Sequence, residues 1–243
     1  MDKSSRTDIS IEEQRQAWNA WNAETREARI STSAQRHATS VEQRISELGR
    51  TDLKIIEVGC GVGWMCERLA KYGSVTGTDL ADEVLERARI RLPHVRFLSG
   101  DFLQMDLPLE SFDVAVTLET LSHFVDQAAF LGRIADLLKP HGWLMVATQN
   151  RPVLERWSEI PGPQPGQIRR WVDARELRSL LEPRFYDIRI SSVVPAGDEG
   201  WLRIVNSPKL NRFLSALVSS ARLERSKERA MFGRTLLAFA RRR

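Results

Sequence analysis

The stretch Glu57-Val58-Gly59-Cys60-Gly61-Val62-Gly63-Trp64 decides the fold, because three alternate glycines follow a short apolar run and precede a helical pattern. Glycine lets the backbone turn sharply and approach a ligand where a side chain would block it. The first turn of the following helix supplies N–H groups that have no partner within the helix. This junction of strand and helix therefore predicts a site for a polar or charged ligand.

Strands and helices alternate on either side of this stretch. Short apolar runs predict strands at 54–58, 74–78, 95–98, 112–118 and 143–148, with helices between them at 65–72, 82–92 and 127–138. Apolar strands joined by helices of this length predict a parallel sheet covered on both faces. A Pro- and Gly-rich loop at 161–166, a helix near 173–181, and strands at 185–194 and 234–240 then predict a closing antiparallel pair.

Two helices are predicted before the sheet. Ser10-Ile11-Glu12-Glu13 has the pattern of a capping box, and apolar residues recur at steps of three and four between Thr32 and Leu48. We interpret residues 1–50 as a helical lid and residues 51–243 as the main fold, with a substrate-side insert at about 196–232. Together they form a single domain.

Length and composition bound the class of protein. The chain has 243 residues, enough for one large α/β domain, and no run approaches the roughly 20 apolar residues that span a bilayer. The N-terminus lacks the pattern of a secretory or transit signal, so we predict a cytoplasmic location. Cys60 and Cys66 show neither a disulfide framework nor zinc spacing, and we predict free thiols and no metal.

Three features separate the glycine turn from the pyrophosphate loop of nicotinamide and flavin enzymes. The spacing is G-x-G-x-G rather than G-x-G-x-x-G, and Glu57 directly precedes it. Asp79 ends the second strand, where a carboxylate can accept hydrogen bonds from both hydroxyls of a ribose. Asp101 and Phe102 follow the third strand and offer an acceptor and an aromatic surface to an adenine.

With these motifs in this order, the sequence resembles the class I S-adenosylmethionine-dependent methyltransferase family over nearly all of residues 53–243. The resemblance implies an α/β, Rossmann-like sheet of seven mostly parallel strands, the last antiparallel, with helices on both faces and extra N-terminal helices. It also implies S-adenosylmethionine as methyl donor and S-adenosylhomocysteine as product. The residues it assigns to the donor are Glu57, Gly59, Gly61, Gly63, Asp79, Leu80, Asp101, Phe102 and Leu118. Phe102 is the secondary candidate of this set, because a lone aromatic residue after a strand more often belongs to the core than to a ligand site.

His123 is the candidate catalytic residue. A sulfonium methyl group is already activated, so little acid–base apparatus is obligatory, but a hydroxyl acceptor gains from a general base. Imidazole titrates in the useful range, and His123 follows the fourth strand, at the rim where open α/β sheets hold substrates. It could instead only shape the pocket. His37, His94 and His141 are less favoured from their positions in the sequence.

Substrate recognition is expected outside the strand and helix core. Trp18 and Trp21 lie on one predicted helical face and could cover the cavity or simply dock their helix. Glu119, at the rim, could bind donor or acceptor. Asn150 and Arg151 follow the fifth strand and could touch the acceptor, although an ordinary turn also explains them.

The leading functional hypothesis is O-methylation of a small molecule or a saccharide-containing metabolite. N-methylation of a small molecule, RNA methylation and a non-enzymatic donor-binding role are the alternatives. Residues 201–243 carry a net charge of +9, which also permits peripheral contact with an anionic membrane or a lipid-linked intermediate. No RNA-binding module is recognisable, so no nucleic-acid partner is expected.

Overall fold

The fold is a single seven-stranded sheet with helices on both faces. The computed structural model describes residues 9–26, 30–157, 162–195 and 231–243. The strands, numbered along the chain, are β1 (Leu53–Val58), β2 (Gly73–Asp79), β3 (Arg96–Ser99), β4 (Phe112–Leu118), β5 (Leu138–Gln149), β6 (Phe185–Pro195) and β7 (Gly233–Arg242). Their order is β3-β2-β1-β4-β5-β7-β6. Among these seven strands β7 alone runs in the opposite direction, so it is antiparallel to its neighbours β5 and β6. This confirms the predicted architecture.

Helices cover the sheet and precede it. They are α1 (Ile11–Trp21), α2 (Thr32–Ser46), α3 (Trp64–Leu69), α4 (Asp82–Arg91), α5 (Gln127–Leu137), α6 (Arg151–Trp157) and α7 (Ala174–Leu181). Capping boxes at Ser10 and Asp173 start α1 and α7, because each side chain accepts backbone N–H groups that the helix leaves unsatisfied.

Two boundaries differ from the expectation. Helix α6 was not predicted, because Pro152 after the fifth strand is typical of a break in the pattern, but this proline lies in the first turn of α6. A proline is tolerated there because its missing N–H would have no partner within the helix. In addition, β5 begins at Leu138 rather than Trp143, with a register shift against β4.

The core lies in two layers, one on each face of the sheet, because successive side chains of β1 and β4 point to opposite faces. Ile55 and Val114 pack with helices α2, α3 and α4, whereas Ile56 and Ala115 pack with α5 and α7. Such near-continuous apolar strands are typical of a parallel sheet buried on both faces. The carboxyl ends of the central strands are therefore held between two packed layers.

The N-terminal helices pack onto the main fold. Asn19 Nδ2 donates to Asp82 Oδ1 at 2.8 Å, and Arg15 forms an ion pair with the same carboxylate, which fixes α1 on the start of α4. On α2, the buried Val41 and Ile45 join the same apolar layer as α3. Both helices thus reach the end of the sheet where the glycine turn lies.

Part of the C-terminal region is outside the described residues. The suggested insert at about 196–232 falls almost wholly within residues 196–230, which the structure does not describe, and so does most of the basic segment 201–243 considered for membrane contact. Within the described ranges, every helix is too short or too polar to cross a bilayer.

Candidate active site

A cavity of about 710 Å³ opens where β1, β2 and β4 end. Its lining combines the glycine turn, the ends of these strands, residues of α1 and α2, and the segment 167–171. This is the edge at which open α/β sheets bind ligands, and the volume is in the range of small-molecule sites.

The three glycines of the turn all have left-handed backbones, with φ of 77° at Gly59, 49° at Gly61 and 73° at Gly63. Gly59 and Gly61 line the cavity. A Cβ on Gly59 would lie 2.1 Å from Thr120 Oγ1, so this position also needs glycine for packing. Gly63 instead turns the chain into α3, against Phe97.

Asp79 joins the glycine turn to the end of β2. Its Oδ2 accepts the backbone N–H of Gly61 at 2.7 Å, and its Oδ1 accepts that of Ala81 at 2.9 Å. Burial raises the pKa of Asp79. Each carboxylate oxygen can accept a further hydrogen bond, so Asp79 can still receive donors from a ligand in the cavity.

Asp101 lies at the same cavity, beyond β3. Its Oδ1 accepts the backbone N–H of Leu103 at 3.1 Å, which leaves acceptor capacity on the carboxylate. Leu80 and Leu118 also line this part of the cavity. Phe102 does so too, but it is 5% exposed and packs edge-on against Phe130, with ring centroids 5.5 Å apart. The Phe102 ring is therefore a core side chain as well as part of the wall.

Glu57 is a buried acid beneath the turn. It is 2% exposed, and Cys66 Sγ donates to its Oε2 at 2.9 Å. Burial raises the pKa of Glu57 to about 8, so this carboxyl group is mostly protonated at neutral pH. Cys60 and Cys66 are buried free thiols, and burial raises the pKa of Cys60 to about 11.

His123 is held in a single orientation by a backbone carbonyl. It ends a 3₁₀ turn (Leu121–His123), and its Nδ1 lies 2.8 Å from the oxygen of Ile168. Because a carbonyl oxygen can only accept, Nδ1 carries the proton and Nε2 keeps the lone pair of the neutral ring. The Trp18 ring packs against the imidazole with centroids 4.4 Å apart.

The electrostatic environment keeps His123 neutral. Burial lowers its pKa to about 4, and the positive charge of Arg169 acts in the same direction. The carbonyl oxygens of Ile168 and Glu119 favour the charged form but do not offset the burial. At physiological pH the ring is therefore a hydrogen-bond acceptor that is already deprotonated.

Glu119 and His37 form a second polar group at the cavity. Glu119 has φ of 63°, unusual for a residue with a side chain, and its Oε1 accepts from Thr235 Oγ1 at 2.9 Å. His37 Nδ1 lies 3.8 Å from the same oxygen. His37 was not favoured from its position in the sequence, although it falls on the apolar stripe of α2 between Ala34 and Val41. That position was the available signal that it faces inward.

The remaining predicted residues divide into two groups. Trp18 and Trp21 line the cavity and pack edge to face, with centroids 5.7 Å apart. Asn150 and Arg151 do not line it. Asn150 Nδ2 donates to the carbonyl of Gly233 at 2.8 Å, and Arg151 is engaged in ion pairs at the start of α7. The structure gives these two residues positions that hold β7 and α7.

A segment that sequence reasoning did not single out forms another wall. We call residues 166–171 the strap. Gln167, Ile168, Arg169 and Trp171 line the cavity, and Gly166, with φ of 80°, packs directly on α1. An arginine two residues before a tryptophan was the only local signal. This pattern does not show that the two side chains face a cavity, because that depends on contacts between segments far apart in sequence.

Two carboxylates that can accept hydrogen bonds lie at the ends of adjacent parallel strands, beside a glycine turn and in one cavity. This arrangement defines a nucleoside-binding α/β protein. Residues 56–146 match the family described as "Methyltransferase domain". The fold and this match together support the class I S-adenosylmethionine-dependent methyltransferase family predicted from the sequence.

Curated relatives share the central part of the chain. A ubiquinone biosynthesis O-methyltransferase of Rhodopseudomonas palustris (strain BisA53) is 37% identical over 104 residues, which are 41% of each chain. The protein of that name from Bartonella tribocorum is 32% identical over 141 residues, 55% of this chain and 56% of the relative. The chain thus matches about half, or less, of the length of these relatives.

Solved structures share the fold over most of the chain. The N-methyltransferase NodS of Bradyrhizobium japonicum WM9, in complex with S-adenosylhomocysteine, has a TM-score of 0.64 and 18% identity, covering 95% of this chain and 98% of NodS. An S-adenosylmethionine-dependent methyltransferase of Mesorhizobium loti has a TM-score of 0.58 and 22% identity, covering 82% and 96%. At such identities the similarity concerns the fold alone.

Proposed function

We propose that this chain methylates a hydroxyl group of a small-molecule or saccharide-containing acceptor, with S-adenosylmethionine as donor and S-adenosylhomocysteine as product. The observation that carries the proposal is the convergence, in one cavity, of the glycine turn, Asp79, Asp101 and the neutral His123. The named activity of the relatives, O-methylation, supports oxygen as the methylated atom.

The lining residues fit such a donor. Gly59 and Gly61 present backbone without side chains, Asp79 offers acceptors for ribose hydroxyls, and Asp101 offers one for an adenine amino group. Leu80, Phe102 and Leu118 supply the apolar surroundings of the base and sugar. When bound, the donor supplies an activated methyl group, so the chain's own residues need only position the acceptor and exclude water.

His123 is proposed as the base that receives the hydroxyl proton on Nε2. Ile168 fixes the tautomer that this role needs. The helices within residues 1–50 act as a lid in this proposal, because Trp18 and Trp21 reach from α1 into the cavity wall. Glu119, whose Oε1 accepts from Thr235 Oγ1, is proposed to bind a polar group of either substrate.

An amine acceptor is the second candidate. The low pKa of His123, about 4, makes its imidazole a weak base, and a neutral amine needs no strong base to accept a methyl group. N-methylation of a small molecule is therefore the alternative that this observation favours.

A comparison of acceptors with a His123→Asn variant tests the proposal. The asparagine amide can still donate to the Ile168 carbonyl but cannot take a proton as Nε2 does. We expect S-adenosylhomocysteine formation from phenolic or sugar hydroxyls to fall by about 10²- to 10⁴-fold. Unchanged turnover of a hydroxyl acceptor would contradict the role of His123. Turnover confined to amines would favour the alternative.

A further inference from the structure

The strap forms a cationic and aromatic part of the cavity wall that the donor does not explain. Arg169 and Trp171 both line the cavity, and the guanidinium carbon of Arg169 lies 5.1 Å from the centre of the Trp171 ring. Stacking of this kind fixes the plane of a guanidinium, and Arg169 Nη2 also donates to the Gly162 carbonyl at 3.3 Å. The Arg169 charge is thus presented to the cavity in a defined orientation.

The strap is tied to the candidate catalytic residue. The backbone N–H of Arg170 donates to the Ser122 carbonyl at 2.8 Å, and the Ile168 carbonyl accepts from His123. Residues on both sides of Arg169 are therefore bonded to the turn that carries His123. A group bound by Arg169 would lie close to the imidazole, consistent with the effect of the Arg169 charge on the pKa of His123.

Charges in the cavity are distributed by element. The acids Asp79, Asp101 and Glu119 lie at or just after the ends of β2, β3 and β4, where they complement a donor with a sulfonium and an ammonium group. Among the described residues two arginines line the cavity, Arg234 at the start of β7 and Arg169 on the strap, and Arg169 is the one whose charge acts on the pKa of His123. Burial lowers the pKa of Arg169, and an anion bound beside it would favour its charged form.

We propose that the methyl acceptor carries a carboxylate or a phosphate group, and that Arg169 binds this anion while the reacting group of the acceptor faces His123. A planar guanidinium makes two parallel hydrogen bonds with either anion, which fixes orientation as well as affinity. Arg169 is then a specificity-determining residue. The inference rests on the proposed function for the reaction, but anion binding can be measured without turnover.

Calorimetry on protein saturated with S-adenosylhomocysteine tests this with two pairs of probes. The carboxylate arm compares 3,4-dihydroxybenzoate with its methyl ester, and the phosphate arm compares phenyl phosphate with phenol. A charge-assisted bidentate contact predicts that the charged member of at least one pair binds about tenfold more tightly or better. The arm that shows the preference identifies the anion.

Three variants assign the preference to Arg169. We expect Arg169→Gln to abolish it and Arg169→Lys to retain only part, because an ammonium group cannot form the paired contact. Arg175→Gln is the matched control. It makes the same change of charge at an exposed position on α7, and the preference should remain. Affinity for S-adenosylhomocysteine should be the same in all four proteins.

Equal binding of charged and neutral probes by the unmodified protein, including binding of neither, would overturn the proposal. A preference that persists in Arg169→Gln would do so as well. Failure of folded protein to bind S-adenosylhomocysteine would overturn the proposed function and this inference together. Binding of that compound without an anion preference would overturn this inference alone.

Discussion

Gly59 combines a left-handed backbone with a lack of space for a side chain. Gly59→Ala would place a Cβ 2.1 Å from Thr120 Oγ1 at φ of 77°. Strain of about 1–2 kcal/mol from the backbone and about 1–3 kcal/mol from overpacking should add. We expect a lower free energy of unfolding, measured by denaturant titration, and weaker S-adenosylhomocysteine binding.

Gly49→Ala is the control for this change. Gly49 has a similar φ of 62°, but nothing lies within 4 Å of the point that a Cβ would occupy. The Gly49→Ala variant should therefore show the backbone strain alone and keep its affinity for S-adenosylhomocysteine. Equal losses in the two variants would mean that the contact with Thr120 carries no energy.

Glu57 should make stability depend on pH. Its folded-state pKa is raised to about 8 from 4.5, so the folded protein holds this proton more tightly than the unfolded chain. The stabilisation is complete below pH 4.5 and is lost as the pH rises through 8, with a slope of at most about 1.4 kcal/mol per pH unit. Glu57→Gln removes the ionisation.

The measurement is the free energy of unfolding between pH 5 and 9. We expect the unmodified protein to lose stability relative to Glu57→Gln as the pH rises. Glu67→Gln, at an exposed position on α3, should follow the unmodified protein. A constant difference between the unmodified protein and Glu57→Gln across this range would show that Glu57 ionises normally.

The acids near the glycine turn could be predicted from sequence, because their positions follow from the order of strands along the chain. Asp79 ends β2 and Asp101 follows β3, and these strands adjoin in the sheet, so the proximity of the two acids follows from the alternation of strands and helices. His37 and Arg169 could not be placed in this way, since they reach the cavity from α2 and the strap. Asn150 showed the opposite error, because its position after β5 suggested a ligand contact while its amide holds the start of β7.

At the scale of elements, the strap depends on its contact with α1. Gly166→Ala would bring a Cβ within 2.8 Å of the Glu13 carbonyl oxygen, at φ of 80°. We expect α1 and the strap to separate, with faster amide hydrogen exchange in α1 and weaker binding of acceptor probes. The main sheet should keep its protection.

Gly162→Ala is the control within the same loop, because nothing lies within 4 Å of the added Cβ. Exchange in α1 should then match that of the unmodified protein. If Gly166→Ala also left exchange in α1 unchanged, the strap would not be held by this contact.

Element types were predicted better than element ends. Capping residues and apolar periodicity located α1, α2 and α7, since these signals reside within each helix. The start of β5 was missed because Lys139, Pro140 and His141 resemble a turn. They lie between Leu138, which pairs with Phe112 of β4, and Trp143, where regular pairing with β4 and β7 begins. Helix α6 was missed because a proline can either break a helix or lie in its first turn, and the sequence alone did not show that a helix begins at Arg151.

At the scale of the whole molecule, topology creates the cavity. Parallel strands β1, β2, β3 and β4 bring their carboxyl ends to one edge of the sheet, and α1, α2 and the strap enclose the space above it. The sheet follows from the sequence because alternating strands and helices leave few topologies. The enclosure does not, because it depends on packing between segments distant in the chain.

Calorimetric titration with S-adenosylhomocysteine tests the central claim most directly. We expect folded protein to bind one molecule, Asp101→Asn to bind it at least about tenfold more weakly because its amide would face the adenine amino group, and the exposed Asp106→Asn to bind it normally. Absence of binding to the folded, unmodified protein would contradict the account.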